Sequence, residues 1–222
     1  GFSIFSEKQL YYSLALAKML KARINPRIVF GGAYIAHLDK KTMLRMFDFL
    51  DFIIYKEGES GIVELLKNLK TRRFSQVPNL VYRKGGKIIE NRDSAVRHLD
   101  RIPFPDFSDF RLKKYFTPQP VLSILFSRGC SWGACTFCAH RKSYSQPYRT
   151  RPIPDLIREL ERYQKKGIKQ VCFTDEIISA KDLDLISSAM LKKKIKMSYA
   201  VMLKPTGDFT RAILEKIYKA GC

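Results

Sequence analysis

The sequence has no apolar run long enough to cross a bilayer. Stretches such as "VLSILF" and "DFIIY" fall far short of the about 20 residues that a spanning helix needs. Cysteine is scarce, with five in 222 residues and three of those within nine positions, which excludes a secreted disulfide framework. The pattern suits a metal or cluster site in a reducing cytoplasm, and no charged-then-apolar leader opens the chain. Acidic side chains are also few, 21 against 41 basic ones, leaving a net charge of +20. Such an excess attracts nucleic acid or another polyanion. However, Lys and Arg are spread along the chain rather than packed into one stripe, which favours solvated helix surfaces over a nucleic-acid partner. The densest run, "LKKKIKM", reads as a helix end feeding a strand.

What is there is globular: 45% apolar residues and 12% aromatics, enough for one large domain or two small ones. The chain opens inside an apolar run, "GFSIF", and closes on "KAGC" just after a predicted helix. Both ends read as cut, and a longer protein is expected.

Along the first 92 residues, short apolar runs alternate with stretches of helical period. "FSIF" reads as a strand. "EKQLYYSLALAKMLKAR" follows as an amphipathic helix with Leu10, Leu14 and Ala17 on one face. "RIVFGG" is a strand ending in a glycine pair, and "KKTMLRMF" a short helix. "DFIIYKEGES" leads from a strand into the helix "GIVELLKNL", with Glu57 and Glu59 near its positive end. This βαβαβα order predicts a partial Rossmann-like α/β domain with a parallel sheet. "PNLVYRKGGKIIEN" then predicts a hairpin turning at Gly85-Gly86. Residues 93–120 carry four prolines and little periodicity, and read as a connector. From 121 to 222 the βα rhythm resumes with three units, the start of a barrel or an open sheet whose working loops lie at the C-terminal strand ends.

One such loop is "RGCSWGACTFCAHRKSY", with Cys130, Cys135 and Cys138 spaced C-x4-C-x2-C and the single Trp132 among them. Three readings compete. A structural zinc site would add His140, although zinc ligands usually come as two separated pairs. A plant-type two-iron centre has this spacing and would take Cys172 as its fourth ligand, although Cys172 sits mid-strand in "QVCFTDE". A four-iron cluster would use the three cysteines alone and leave one iron open.

The third reading carries a family resemblance. "SRGCSWGACTFC" after the first strand of a βα series resembles the signature loop of radical S-adenosylmethionine (SAM) enzymes, in particular those with an N-terminal cobalamin-binding-like domain. "GGAYIAHL", "KEGES", "NLVYRKGGKI" and "RIPFPDFSDF" resemble the segments leading from that domain into the barrel, so the resemblance covers most of the chain. The most widespread family spacing is C-x3-C-x2-C, and this loop has one residue more, as a subset of cobalamin-type members do.

The resemblance implies a 4Fe-4S cluster on Cys130, Cys135 and Cys138, with SAM on the open iron cleaved to a 5′-deoxyadenosyl radical. It implies Phe137 near the adenine and Asp175 and Glu176 at the SAM ammonium. As bare residues, Phe137 reads as a core aromatic, and Asp175 and Glu176 as the cap of the following helix. Ser3, Gly31 and Gly32 correspond to contacts to the cobalamin nucleotide tail; a tight turn explains the glycines equally well. The cobalt-ligating D-x-H-x-x-G motif is not found here and is expected before residue 1. The SAM ribose and carboxylate contacts are expected beyond Cys222, and cobalamin binding in the full-length protein. A reductant such as flavodoxin or ferredoxin is the implied partner; the substrate is left open.

Overall fold

In the computed structural model, residues 1–138 and 148–222 are described. They gather into two compact units, residues 1–96 with 136–138, and residues 97–135 with 148–222. The expectations that fall on residues 139–147, His140 among them, lie outside the described residues.

The first unit runs β1 (Phe2–Ser3), α1 (Glu7–Ile24), β2 (Val29–Gly31), α2 (Lys40–Met46), β3 (Phe52–Ile54), α3 (Glu59–Asn68), β4 (Leu80–Lys84) and β5 (Lys87–Glu90). The strands lie side by side in chain order; the first three are parallel, and β4 and β5 are antiparallel. Ser6 caps α1 by accepting from Gln9 N, and Asn25 ends it in the left-handed region at φ 42°. Between these stops, Leu10, Leu14 and Ala17 pack toward Ile4, Phe30 and Ile53. The hairpin turns on Gly85 and Gly86 at φ 55° and 74°, the two positive values that a type I′ turn requires.

Glu57, expected near the positive end of α3, lies two residues ahead of its first residue, Glu59. Glu57 is buried, and its Oε2 accepts from Val96 N at 2.9 Å. Asn79, also buried, works beside it. Its amide nitrogen donates to Glu57 O at 2.6 Å and Ser94 O at 2.9 Å, and its Oδ1 accepts from Ser94 N at 2.6 Å. Asn79 sits at φ 59°, which asparagine tolerates better than most residues. Asn79→Ala would strand three backbone groups and strain the chain. We expect a loss of about 3 kcal/mol in chemical denaturation of the first unit.

The second unit runs β6 (Val121–Ile124), β7 (Ser127–Arg128), β8 (Arg149–Thr150), α4 (Ile153–Lys165), β9 (Gln170–Phe173), α5 (Ala180–Lys192), β10 (Ser198–Ala200) and α6 (Arg211–Lys219). Its main sheet is wholly parallel in the order β10-β9-β6, with Val171 opposite both Leu122 and Tyr199. Helix α4 buries Leu156, Ile157, Leu160 and Tyr163 at the spacing of one helical face. Ser179 and Thr210 cap α5 and α6 with their hydroxyls. From Arg97 onward, the proline-rich stretch clusters with this unit. Phe107 and Leu112 pack on its core, and the Phe107 ring meets that of Tyr163 edge-on at 6.1 Å. Among the described residues no helix is long and apolar enough to cross a membrane.

Candidate functional site

The cysteine segment leaves the sheet at the C-terminal end of β6, where side chains from neighbouring strands can converge. Its stem is the small antiparallel pair β7 and β8, with Ser127 opposite Thr150 and Arg128 opposite Arg149. Two-residue strands leave no periodic trace in a sequence, so this stem was invisible there.

Three fastenings hold the stem. Thr174, just after β9, donates its N–H to Ile124 O at 2.9 Å. Arg151, just after β8, donates its N–H to Phe126 O and its Nη1 to Leu125 O, both at 2.8 Å. The third is Asp175, only 1% exposed. Its Oδ2 accepts from Phe126 N at 3.0 Å, and its Oδ1 accepts from Ser127 N and, at 2.5 Å, from the Ser127 hydroxyl. Burial pushes the Asp175 carboxyl above the usual aspartate range, against the pull of these donors. Tyr148, at the same stem, is pushed up to about 12, chiefly by burial, so its hydroxyl stays protonated at neutral pH.

Behind the stem lies a buried charged network. Arg151 Nη1 meets Glu159 Oε2 at 2.6 Å, and the Tyr163 hydroxyl donates to Glu159 Oε1 at 2.5 Å. The Arg151 guanidinium also lies over the Phe104 ring, 5.2 Å from its centroid. Sequence reading missed this network, whose trace is a charged residue, Glu159, on the otherwise apolar face of α4.

The thiols are free. Cys130 is half-buried, and Cys135 and Cys138 are exposed. Gly129 and Gly133 take φ of 83° and 57°, and Gly133 N donates to Cys130 Sγ at 3.5 Å. Trp132 lies under Lys204, whose Nζ is 3.0 Å from the ring centroid. Among the described residues no three histidine, cysteine or acidic side chains are drawn together closely enough to hold a metal. The donor set nonetheless has the right chemistry for an iron–sulfur cluster: three thiols on one loop, none in a disulfide. Cys172 instead sits within β9 between Ser123 and Ala200 of the flanking strands.

The other expected residues fall as follows. Phe137 is 89% exposed, so it is not a core aromatic. Asp175 and Glu176 separate: Asp175 is spent on the stem and Glu176 is half-buried. Neither caps α5, a task that Ser179 performs.

In the first unit, Ser3, Gly31 and Gly32 do meet. Together with Val29, Ile54 and Lys56 they line a pocket of about 470 Å³ at the C-terminal ends of β1, β2 and β3. Gly32 is fixed by the fold alone, since a Cβ there would come within 2.4 Å of Ile4 O. Gly31 is less constrained, its Cβ meeting Ile54 O at 3.1 Å. Lys56, which sequence reading passed over, holds φ 58° on the pocket wall, a conformation that non-glycine residues rarely adopt.

No family model matches the chain. Over 200 residues it is 32% identical to hopanoid C-3 methylase of Methylococcus capsulatus, covering 87% of this chain and 37% of that protein. Over 102 residues it is 32% identical to cytidylyl-2-hydroxyethylphosphonate methyltransferase of Streptomyces wedmorensis, covering 41% and 19%. The chain therefore spans well under half the length of these relatives. Among solved structures it resembles the cobalamin-dependent SAM radical enzyme OxsB with aqua-cobalamin and SAM bound. That match has a TM-score of 0.71 and 21% identity, over 99% of this chain and 33% of that one. It also resembles TsrM of Kitasatospora setae, a radical SAM methyltransferase, solved with tryptophan and a SAM analogue. There the TM-score is 0.75 and the identity 16%, over 96% and 43% of the two chains. The chain thus has the α/β fold, with parallel sheets, of cobalamin-dependent radical SAM enzymes.

Proposed function

We propose that this chain is the cluster-bearing and cobalamin-facing part of a radical SAM methyltransferase. The observation that carries the reading is the C-x4-C-x2-C triplet on a clamped hairpin at the end of β6, in a chain that runs beside a methylase for 200 residues. Cys130, Cys135 and Cys138 would hold a 4Fe-4S cluster. When bound, the cluster supplies the electron that breaks a carbon–sulfur bond of SAM. Asp175 and Arg151 position the loop; Phe137 would meet the adenine and Glu176 the ammonium. Ser3, Gly31 and Lys56 would face a cobalamin tail in the pocket of the first unit. A flavodoxin- or ferredoxin-type reductant would feed the site in the cytoplasm.

The test is iron content after anaerobic reconstitution. About four irons per chain are expected, lost in Cys130→Ala, Cys135→Ala and Cys138→Ala and kept in Cys172→Ala. About two irons, or a loss in Cys172→Ala, would hand the site to the two-iron reading. One zinc without iron would make it a structural zinc site.

A further inference from the structure

At the other end of the first unit's sheet, where β3 begins and β4 ends, lies a second pocket of about 440 Å³. Four cationic residues line it, Arg27, Arg72, Arg83 and Lys84, against a single carboxylate, Asp51. That carboxylate is already spent. Its Oδ2 takes Lys21 Nζ and Ile28 N, both at 2.8 Å, and its Oδ1 takes Arg27 Nη1 at 3.1 Å. Arg83 is also committed, donating to the Leu44, Phe47 and Leu50 carbonyls in and after α2. The Arg72 guanidinium and the Lys84 ammonium have no hydrogen-bond or ion-pair partner among the described residues. Phe52, Phe74 and Tyr82 form the aromatic side of the pocket, with Phe74 edge-on to both of the others at 5.0 and 5.5 Å.

Arg72 adds an independent sign. It closes the turn after α3, its N–H reaching Asn68 O at 2.8 Å, with φ at 57°. Glycine is the residue that this position favours, because a side chain there is strained. An arginine held in the glycine conformation thus sits as a backbone outlier beside a pocket with surplus positive charge.

We infer that this pocket binds the phosphoryl group of a small polyphosphate or nucleotide, through the Arg72 guanidinium and the Lys84 ammonium. A guanidinium fork and an ammonium are the donors that phosphate oxygens take best. The inference stands apart from the cluster loop and from the pocket at the opposite end of the sheet.

The test titrates inorganic pyrophosphate, and separately ADP, against the full chain, followed by calorimetry. Saturable binding at micromolar to submillimolar ligand is expected. Arg72→Gln and Lys84→Gln should each weaken it about tenfold, the loss of one charge-assisted hydrogen bond. Arg72→Gly gives the sharper readout. It should weaken binding by a similar factor while raising the first unit's melting temperature by a few degrees, because the backbone strain is relieved. Equal affinity for the two ligands would limit recognition to the phosphoryl groups, and tighter ADP would bring in the aromatic wall. Three results would overturn the inference: no saturable pyrophosphate or ADP binding, affinity unchanged in both Gln variants, or a gain in stability from Arg72→Gly with no loss of binding. Retention of a single-stranded oligonucleotide without pyrophosphate binding would likewise assign the charge to diffuse nucleic-acid attraction.

Discussion

Arg151→Met should be the most damaging single substitution in the second unit, at about 3–5 kcal/mol, the cost of leaving one member of a buried ion pair without its partner. Glu159 is fully buried at 0% exposure and Arg151 is 8% exposed, so water cannot replace the lost cation. Tyr163 would still donate to Oε1, since burial and Glu159 together raise its hydroxyl far above the neutral range and keep it protonated. A single neutral donor does not balance a buried carboxylate. The same change removes the Nη1 bond to Leu125 O and so slackens the strand end that feeds the cysteine loop. Urea denaturation followed by far-ultraviolet circular dichroism measures the loss.

The double variant Arg151→Met with Glu159→Leu decides what the pair is for. If the pair holds the fold only through mutual neutralisation, removing both charges should restore most of the stability, as apolar replacements of buried pairs often do. The cycle should then show a coupling of more than about 1 kcal/mol between the two positions. A double variant no more stable than the single one would place the cost in packing against Phe104 and in the lost Leu125 bond. If Arg151→Met leaves stability unchanged, the network carries no structural weight.

The elements that declared themselves in the sequence are those whose local chemistry and packing agree. Helix α1 is one: Ser6 starts it, Asn25 stops it, and the Leu10, Leu14 and Ala17 stripe meets the sheet. The glycine pair of the β4–β5 hairpin is another, because only positive φ on two successive residues turns two strands so tightly. The spacing of Cys130, Cys135 and Cys138 also needs no tertiary knowledge. What stayed hidden was built from long-range polar bonds. Glu57 and Val96 are 39 residues apart, and Asp175 and Phe126 are 49 apart. In the linear sequence both acids stand just before a helix, where a negative charge suits its positive end. Only the fold shows that their partners are backbone amides of distant segments. Lys56 and Arg72 were passed over for a related reason: their interest lies in backbone angle, which composition does not record.

Asp175→Asn and Glu176→Gln should therefore part company, although the two residues are neighbours. In Asp175 both oxygens receive donors: Phe126 N on one, and Ser127 N and Oγ on the other. An asparagine amide turns one acceptor into a donor that faces an N–H or O–H, so about 2–3 kcal/mol should be lost from the second unit. The loop hung on this stem carries the only tryptophan, Trp132, stacked under Lys204. Its emission should shift to the red and become easier to quench as the stem loosens. A pH signature accompanies the loss. Because burial raises the Asp175 carboxyl in the folded state, its ionisation is harder there than in the unfolded chain. Its contribution to stability is thus full below the ordinary aspartate range and fades as pH rises through the raised value. Asparagine has no such term, so the gap between the two proteins should be widest in acid and narrow toward neutrality. Glu176→Gln touches neither the stem's hydrogen bonds nor a thiol, so it should leave tryptophan emission and iron content where they were. It should instead weaken SAM binding about tenfold in the full-length protein, the loss of one charge-assisted bond to an ammonium. Electron paramagnetic resonance of the reduced cluster during a SAM titration reads that affinity. If Asp175→Asn weakens SAM binding without moving stability or tryptophan emission, the carboxylate touches the ligand and the clamp assignment fails. If Glu176→Gln binds SAM normally, Glu176 leaves the site.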